Sequence, residues 1–109
     1  MAVRIAIVGP GKVGTCFARR FQAASAEVLG FVGRDAGGVR RAVADTGCGE
    51  ALSWSDLRRA HCVIFAVGDD QLPAAVAAAA ADGGRRCSLW LHTSGRYDLE
   101  VLELSLIHI

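Results

Sequence analysis

The sequence has almost no excess of charge of either sign. Twelve Lys and Arg against eleven Asp and Glu leave a formal net charge of +1 over 109 residues. A nucleic-acid footprint needs a clustered basic face, and none stands out, so no nucleic-acid partner is expected. Long apolar runs are missing as well. The alanine-rich stretch Ala74 to Ala81 is far too short to span a bilayer, and Ile5 to Val8 is too short for the apolar core of a signal peptide. No membrane partner and a cytoplasmic location follow as expectations. The four cysteines, Cys16, Cys48, Cys62 and Cys87, make no C-x-x-C pair, and no paired histidines stand in metal-ligand register. Reduced thiols in a cytosolic protein are the simplest reading, with no metal. Repeats and linkers are absent, and the alanine stretch is the one biased segment. With 52% apolar and 21% charged residues, the chain reads as one ordinary globular domain, short for a complete two-domain enzyme.

What is present is a glycine corner. Gly9-Pro10-Gly11-Lys12-Val13-Gly14 follows the apolar run Ile5 to Val8 and precedes a segment of helical pattern from Lys12 to about Ala24. A strand, a G-x-G-x-x-G turn and a helix in that order point to a dinucleotide. Gly9 permits the tight turn, Gly11 lets the main chain approach a pyrophosphate, and Gly14 lets the helix sit close to the strand. The helix N-terminus then offers N–H groups and the positive end of its dipole to the phosphates. A glycine-rich turn that binds nothing is the bland alternative.

The rest of the chain alternates. Val28 to Val32 reads as a second strand interrupted by Gly30, closed by Gly33-Arg34-Asp35. Gly37-Gly38 reads as a loop, Val39 to Thr46 as a helix stopped by Gly47, and Glu50 to Leu52 as a short third strand. Ser53 or Ser55 caps a brief helical turn through Leu57 to Ala60. Cys62 to Val67 is the fourth strand, Gly68-Asp69-Asp70 its exit loop, with Asp70 as the cap of a helix running to about Ala81 and Pro73 in its first turn. Ser88 to His92 is the last strand. In the first helix Val13, Phe17 and Phe21 make the inward stripe, flanked by Cys16 and Ala18. This alternation predicts a doubly wound α/β domain with a parallel sheet in the order 3-2-1-4-5, helices on both faces, and a ligand over the carboxyl ends of the first and fourth strands. Cys62 and Cys87 would begin neighbouring strands, where packing is favoured over a disulfide.

The residue closing the second strand meets the adenosine ribose in such folds. An acid there favours NAD, and an arginine the 2′-phosphate of NADP. Arg34 stands first and Asp35 second, with Arg40 and Arg41 beyond. A guanidinium suits phosphate oxygens, so NADP is favoured over NAD, the alternative being three arginines on a solvated face.

Ile5 to Gly14, Val28 to Arg34 and Phe65-Ala66-Val67-Gly68-Asp69-Asp70-Gln71-Leu72-Pro73 together resemble the N-terminal domain of the 6-phosphogluconate dehydrogenase-like superfamily. That group includes β-hydroxyacid dehydrogenases, pyrroline-5-carboxylate reductases and deazaflavin-dependent NADP reductases. Within it the chain is similar to Rossmann-like oxidoreductases whose C-terminal half is a domain of unknown function and whose last strand leads into His-x-Ser-Gly, here His92-Thr93-Ser94-Gly95, followed by Leu99 and Leu102. The resemblance covers residues 3 to 102. It implies NADP binding and hydride transfer to or from a small carbonyl, imine or hydroxyacid. It also implies a parent that dimerises through a helical C-terminal domain missing here. Residues 103 to 109 depart from the family pattern and read as a tail outside the native domain, and with the substrate-enclosing C-terminal domain missing this fragment alone is expected to be inactive.

Val67, Gly68 and Asp69 would border the nicotinamide ribose. His92 could give a proton to the substrate as hydride arrives, and Ser94 could orient its carbonyl, against the alternative of a strand-end histidine and a Ser-Gly turn. Asp69 and Asp70 as general acid or base yield to the reading of a helix cap with a solvated neighbour. His61, at the opposite end of its strand, reads as a surface residue. The competing classes are a dinucleotide sensor or scaffold without chemistry and, more weakly, a methyltransferase fold.

Overall fold

In the computed structural model, residues 2–81 and 89–92 are described. The elements are β1 (Arg4–Val8), α1 (Lys12–Ala23), β2 (Glu27–Val32), α2 (Ala36–Thr46), β3 (Glu50–Ala51), a 3-10 helix (Trp54–Arg59), β4 (Cys62–Phe65), α3 (Leu72–Ala81) and β5 (Leu89–His92). All strand pairs are parallel, and the sheet runs β3-β2-β1-β4-β5, the order that the alternation predicts. Among the described residues no helix is long and apolar enough to cross a membrane.

The apolar runs of β1 and β4 are continuous because helices cover both faces of the sheet centre. Ala6 and Val8 join Val63, Phe65, Leu57, Leu72, Val76 and Trp90 on one side. Ile5 and Ile7 join Phe31, Ile64, Ala18 and Val39 on the other. Phe65 and Trp90 pack with ring centroids 5.1 Å apart, anchoring β5 to β4. The interruption at Gly30 has a local cause. The register between β1 and β2 shifts there, Gly30 takes φ 146°, and a Cβ at this position would overlap the Glu50 carbonyl of β3.

Several boundaries differ from the sequence reading, each for a physical reason. Gly37-Gly38 is not a loop but the first turn of α2. Asp35 caps that helix by accepting the Gly37 N–H at 3.0 Å, and the cap offsets the low helix propensity of the glycines. Gly47 ends α2 in the left-handed conformation, as expected. Helix α3 begins at Leu72, so Asp70 sits in the preceding turn, where the Gly68 carbonyl accepts from the Gln71 and Leu72 N–H groups at 2.9 and 3.1 Å.

The inward face of α1 is also displaced. Gly14 and Ala18 are its buried residues, Phe17 and Phe21 are half-buried beside them, and Val13 (51% exposed) and Cys16 point to solvent. A helix held against β1 through glycine and alanine approaches too closely for the larger side chains to lie beneath it. They are turned to its flank, where Phe17 and Phe21 stack at 5.8 Å. Cys48 is buried, its Sγ contacting the Gln22 side chain, and Cys62 is half-buried. Cys87 lies outside the described residues.

Candidate functional site

The carboxyl ends of β1, β2 and β4 meet at one rim, and the glycine corner forms its centre. Gly9 donates its N–H to the Val32 carbonyl at 2.9 Å, tying the end of β1 to the end of β2. Its φ of 112° belongs to glycine, and a Cβ there would overlap the Ala66 carbonyl that follows β4. Gly14 faces the other way. A Cβ on it would overlap the Gly9 carbonyl and come within 3.2 Å of Ile7 Cγ2, so α1 seats directly on β1. Gly11 differs from both, because a Cβ built there meets nothing within 4 Å. The space in front of Gly11 is therefore open, and packing does not explain the glycine.

Gly11 is also the N-cap of α1, with no side-chain capping bond. The first intrahelical bond runs from the Thr15 N–H to the Gly11 carbonyl at 3.0 Å. The N–H groups of Lys12, Val13 and Gly14 consequently have no intrahelical acceptor and face the opening with the positive end of the helix dipole. Lys12 is exposed at the same corner, and the Val13 side chain points away, leaving its main chain as the part at the site.

Pro10 divides the opening in two. A Cβ on Gly33 would stand 3.2 Å from Pro10 Cδ, and one on Gly38 3.3 Å from Pro10 Cγ. These two glycines thus hold the ring between the end of β2 and the start of α2. On one side lies a cavity of about 350 Å³ bordered by Gly11, Lys12, Thr15, Asp35 and Arg41. On the other lies one of about 290 Å³, running from Gly9 and Pro10 past Gly33, Arg34 and Asp35 to Trp54, Val67, Gln71 and the alanines of α3. The second is at the lower end of small-molecule pocket sizes.

At the end of β2 the two neighbouring charges are not equivalent. Asp35 is engaged as the cap of α2, and Arg41 stands 3.8 Å from its carboxylate, both side chains being exposed. Arg34 lines the cavity of about 290 Å³, and among the described residues it has no hydrogen bond or ion pair. Arg40 is exposed on α2.

Across the rim, Val67 lines the cavity, while Gly68 and Asp69 continue into the turn before α3. His92 is half-buried at the end of β5 and pairs in register with Phe65, the last residue of β4, so it shares the carboxyl rim with Val67. Ser94 lies outside the described residues. His61 is at the amino end, where its Nδ1 accepts the Arg4 N–H at 2.9 Å, a structural bond.

Trp54, Ala74, Ala75 and Ala78 escaped the sequence reading as lining residues, whereas Gln71 closes the stretch from Gly68 over which the sequence places the ligand. The alanines look like helix-packing residues. Their spacing on one stripe of α3 is the only signal, and it acquires meaning once Trp54 lies opposite. Trp54 opens the 3-10 helix, which a local clasp orients. Asp56 accepts the Ser53 N–H at 2.8 Å and its hydroxyl at 3.0 Å, and Arg59 lies 3.6 Å away. The Ser53 main-chain bond is the chief reason the Asp56 carboxyl is held below its ordinary range. Partial burial opposes it, and the Ser53 hydroxyl and Arg59 add to it.

The comparisons agree with this architecture. No curated protein matches the sequence. Among solved structures, UDP-N-acetylglucosamine 3-dehydrogenase from Acidithiobacillus ferrooxidans superposes with a TM-score of 0.70 at 18% identity, over 96% of this chain and 34% of that one. (S)-3-hydroxybutyryl-CoA dehydrogenase from Ralstonia eutropha gives 0.70 at 18%, over 86% and 42%. Arogenate dehydrogenase from Synechocystis gives 0.72 at 17%, over 84% and 33%. The chain thus spans between a third and roughly two fifths of the length of these proteins, and the likeness establishes the fold. Residues 1–106 match the family described as a Rossmann-like domain, and the chain belongs to that family.

Proposed function

We propose that this chain is the cofactor-binding half of an NADP-dependent oxidoreductase of the 6-phosphogluconate dehydrogenase-like type, acting in the cytoplasm on a small carbonyl, imine or hydroxyacid. The observation that carries the reading is the open space before Gly11 at the free N-terminus of α1, with the cavity that Arg34 lines on the other side of Pro10. A helix start with no side-chain cap, and a glycine without a packing role, suit an anion whose oxygens accept the Lys12, Val13 and Gly14 N–H groups. Gly9, Pro10 and Gly33 shape the passage, and Arg34 would grip the 2′-phosphate. The engagement of Asp35 as a helix cap supports NADP over NAD, because it leaves the guanidinium as the uncommitted charge at the ribose end. Val67, Gly68 and Asp69 would border the nicotinamide ribose.

The bound cofactor supplies or accepts the hydride. His92 would supply the proton to the substrate oxygen or nitrogen, with Ser94 orienting that group. Residues 1–102 would form this half, and a C-terminal domain of the parent would enclose substrate and form a homodimer. That all three dehydrogenases named above carry this fold over a third or more of their length favours this reading over a sensor without chemistry.

The deciding experiment is a fluorescence titration of NADPH and NADH, repeated on Arg34→Ala. The expected outcome is selective loss of NADPH affinity, by about tenfold to a hundredfold for a charge-assisted contact of 1.5–3 kcal/mol. Equal weakening of both cofactors would remove the 2′-phosphate assignment. Absence of binding of either at millimolar concentration would remove the function.

A further inference from the structure

At the end of β2 an arginine and an aspartate stand side by side, and they act on a nicotinamide dinucleotide in opposite senses. A guanidinium attracts the 2′-phosphate of NADP, whereas a carboxylate repels it and accepts from the free 2′-OH of NAD. Asp35 borders both cavities beside Pro10, so its charge is within range of a ligand that reaches Arg34. The carboxylate is nevertheless engaged from α2. Its Oδ1 accepts the Gly37 N–H at 3.0 Å, and its Oδ2 lies 3.8 Å from Nη2 of Arg41. The start of α2 is shaped to admit both groups. A Cβ on Gly37 would stand 3.4 Å from Asp35 Oδ1 and 3.6 Å from Arg41 Nη1, and one on Gly38 3.0 Å from Asp35 Oδ2. Consecutive glycines are poor helix formers, and here they leave bare main chain beside the pair. Asp45 borders the same cavity one turn along, yet among the described residues the ion pair of Arg41 is with Asp35. The two side chains are 73% and 71% exposed, so the pair adds little to stability. Its charge balance matters more to a neighbouring phosphate, which carries nearly two charges.

We propose that Arg41 sets the cofactor preference by screening Asp35. The inference rests on the reading of Arg34 as the 2′-phosphate contact, and it gives a second arginine a different task. Arg41 is a positioning residue. It holds the Asp35 carboxylate over the first turn of α2 and cancels its charge, so that the end of β2 presents the Arg34 guanidinium to a phosphate without a competing anion. Without Arg41, Asp35 keeps its cap bond to Gly37 but stands as an uncompensated negative charge beside the ribose. NADPH is then disfavoured, while NADH, with no 2′-phosphate, is not. The effect of Arg41 therefore depends on the carboxylate being there to screen. Because it acts across exposed surface, it also weakens as salt shortens the screening length.

The test is a double-mutant cycle on the full chain, with NADPH and NADH each titrated by fluorescence at low salt. Arg41→Gln should lower the NADPH affinity about threefold to tenfold, the scale of one unit charge facing a dianion across hydrated surface, and leave NADH within about twofold of the parent. Arg41→Lys, which keeps the charge, should hold the preference close to that of the parent. Asp35→Asn retains a side-chain oxygen for the Gly37 N–H and should not lower the preference for NADPH. In the Asp35→Asn background, Arg41→Gln should change that preference by less than about twofold. An undiminished effect of Arg41→Gln in that background would show that Arg41 meets the phosphate itself, and would overturn the proposal. Equal weakening of both cofactors, or no change in either, would overturn it as well. If the unsubstituted protein binds neither cofactor, the reading of the site fails and takes this inference with it; NADPH binding that ignores Arg41 removes the inference alone.

Discussion

Gly11→Val separates binding from folding more sharply than any other change at the corner. Gly11 has φ −78° and ψ −166°, an extended conformation that valine adopts without strain, and nothing in the protein lies within 4 Å of its Cβ. Losing a tolerable N-cap costs about 1 kcal/mol, and the smaller entropy of the unfolded valine chain returns about 0.4–1 kcal/mol. Stability should therefore stay within about 1 kcal/mol of the parent, a melting shift of only a few degrees. Binding should not survive. The isopropyl group occupies the space where a pyrophosphate would reach the Lys12 and Val13 N–H groups. Two charge-assisted bonds at about 1.5–3 kcal/mol each amount to a loss of a hundredfold or more in affinity for NADPH and NADH alike. Urea denaturation followed by cofactor titration on the same preparation reads both quantities. A folded Gly11→Val protein that binds NADPH with unchanged affinity would refute the idea that the open space holds phosphates. Gly14→Ala provides the contrast. Its Cβ would overlap the Gly9 carbonyl, so a destabilisation of about 1–3 kcal/mol is expected before any ligand is added.

Other outcomes follow from single features. Helix α1 ends with Ser25 at φ 69°, while the Ala26 and Ser25 N–H groups bond the Phe21 and Gln22 carbonyls at 3.0 Å, a Schellman closure in which glycine is the usual residue. Ser25→Gly should therefore raise stability by up to about 1 kcal/mol in urea denaturation, and a decrease would contradict the assigned backbone. The Asp56 carboxyl is lowered from 3.8 in the folded state, so its clasp on Ser53 contributes fully above that value and is lost as pH falls through the folded pKa. Asp56→Asn should cost about 0.5–2 kcal/mol at pH 7, and the difference from the parent should shrink as the pH is lowered through the folded-state pKa; a gap that persists in strong acid would point to lost packing instead. Trp54→Leu should weaken NADPH binding by about tenfold if the indole flanks the base, consistent with stacking worth 1–3 kcal/mol, with a melting curve displaced by only a few degrees.

The sheet order was legible in the sequence because its two central strands, β1 and β4, are written as uninterrupted apolar runs with glycine exits, and the helices between them alternate on schedule. The misplaced details share a cause. Gly37-Gly38 looks like a break until Asp35 supplies the cap, and Val13 looks inward until Gly14 and Ala18 bring α1 too close for it. Both depend on one or two residues overruling the pattern of their neighbours. The glycine corner itself could be read because each glycine has a local task. Trp54 could not, since its place in the cavity depends on α3 arriving opposite it from a distant part of the chain, and no spacing encodes that meeting.

The sheet also acts as a partition. The side chains beneath α3 and those beneath α1 and α2 form two clusters that share strands but alternate away from each other. Substitutions such as Phe65→Leu and Phe31→Leu should then combine nearly additively, since each disturbs a different compartment. Drift on the α3 side could remould the tryptophan-and-alanine wall while the glycine corner on the α1 side stays as it is. If the proposed nucleotide binds here, a lineage built on this scaffold can in that way change what it recognises at one end of the ligand without relearning how to hold the other.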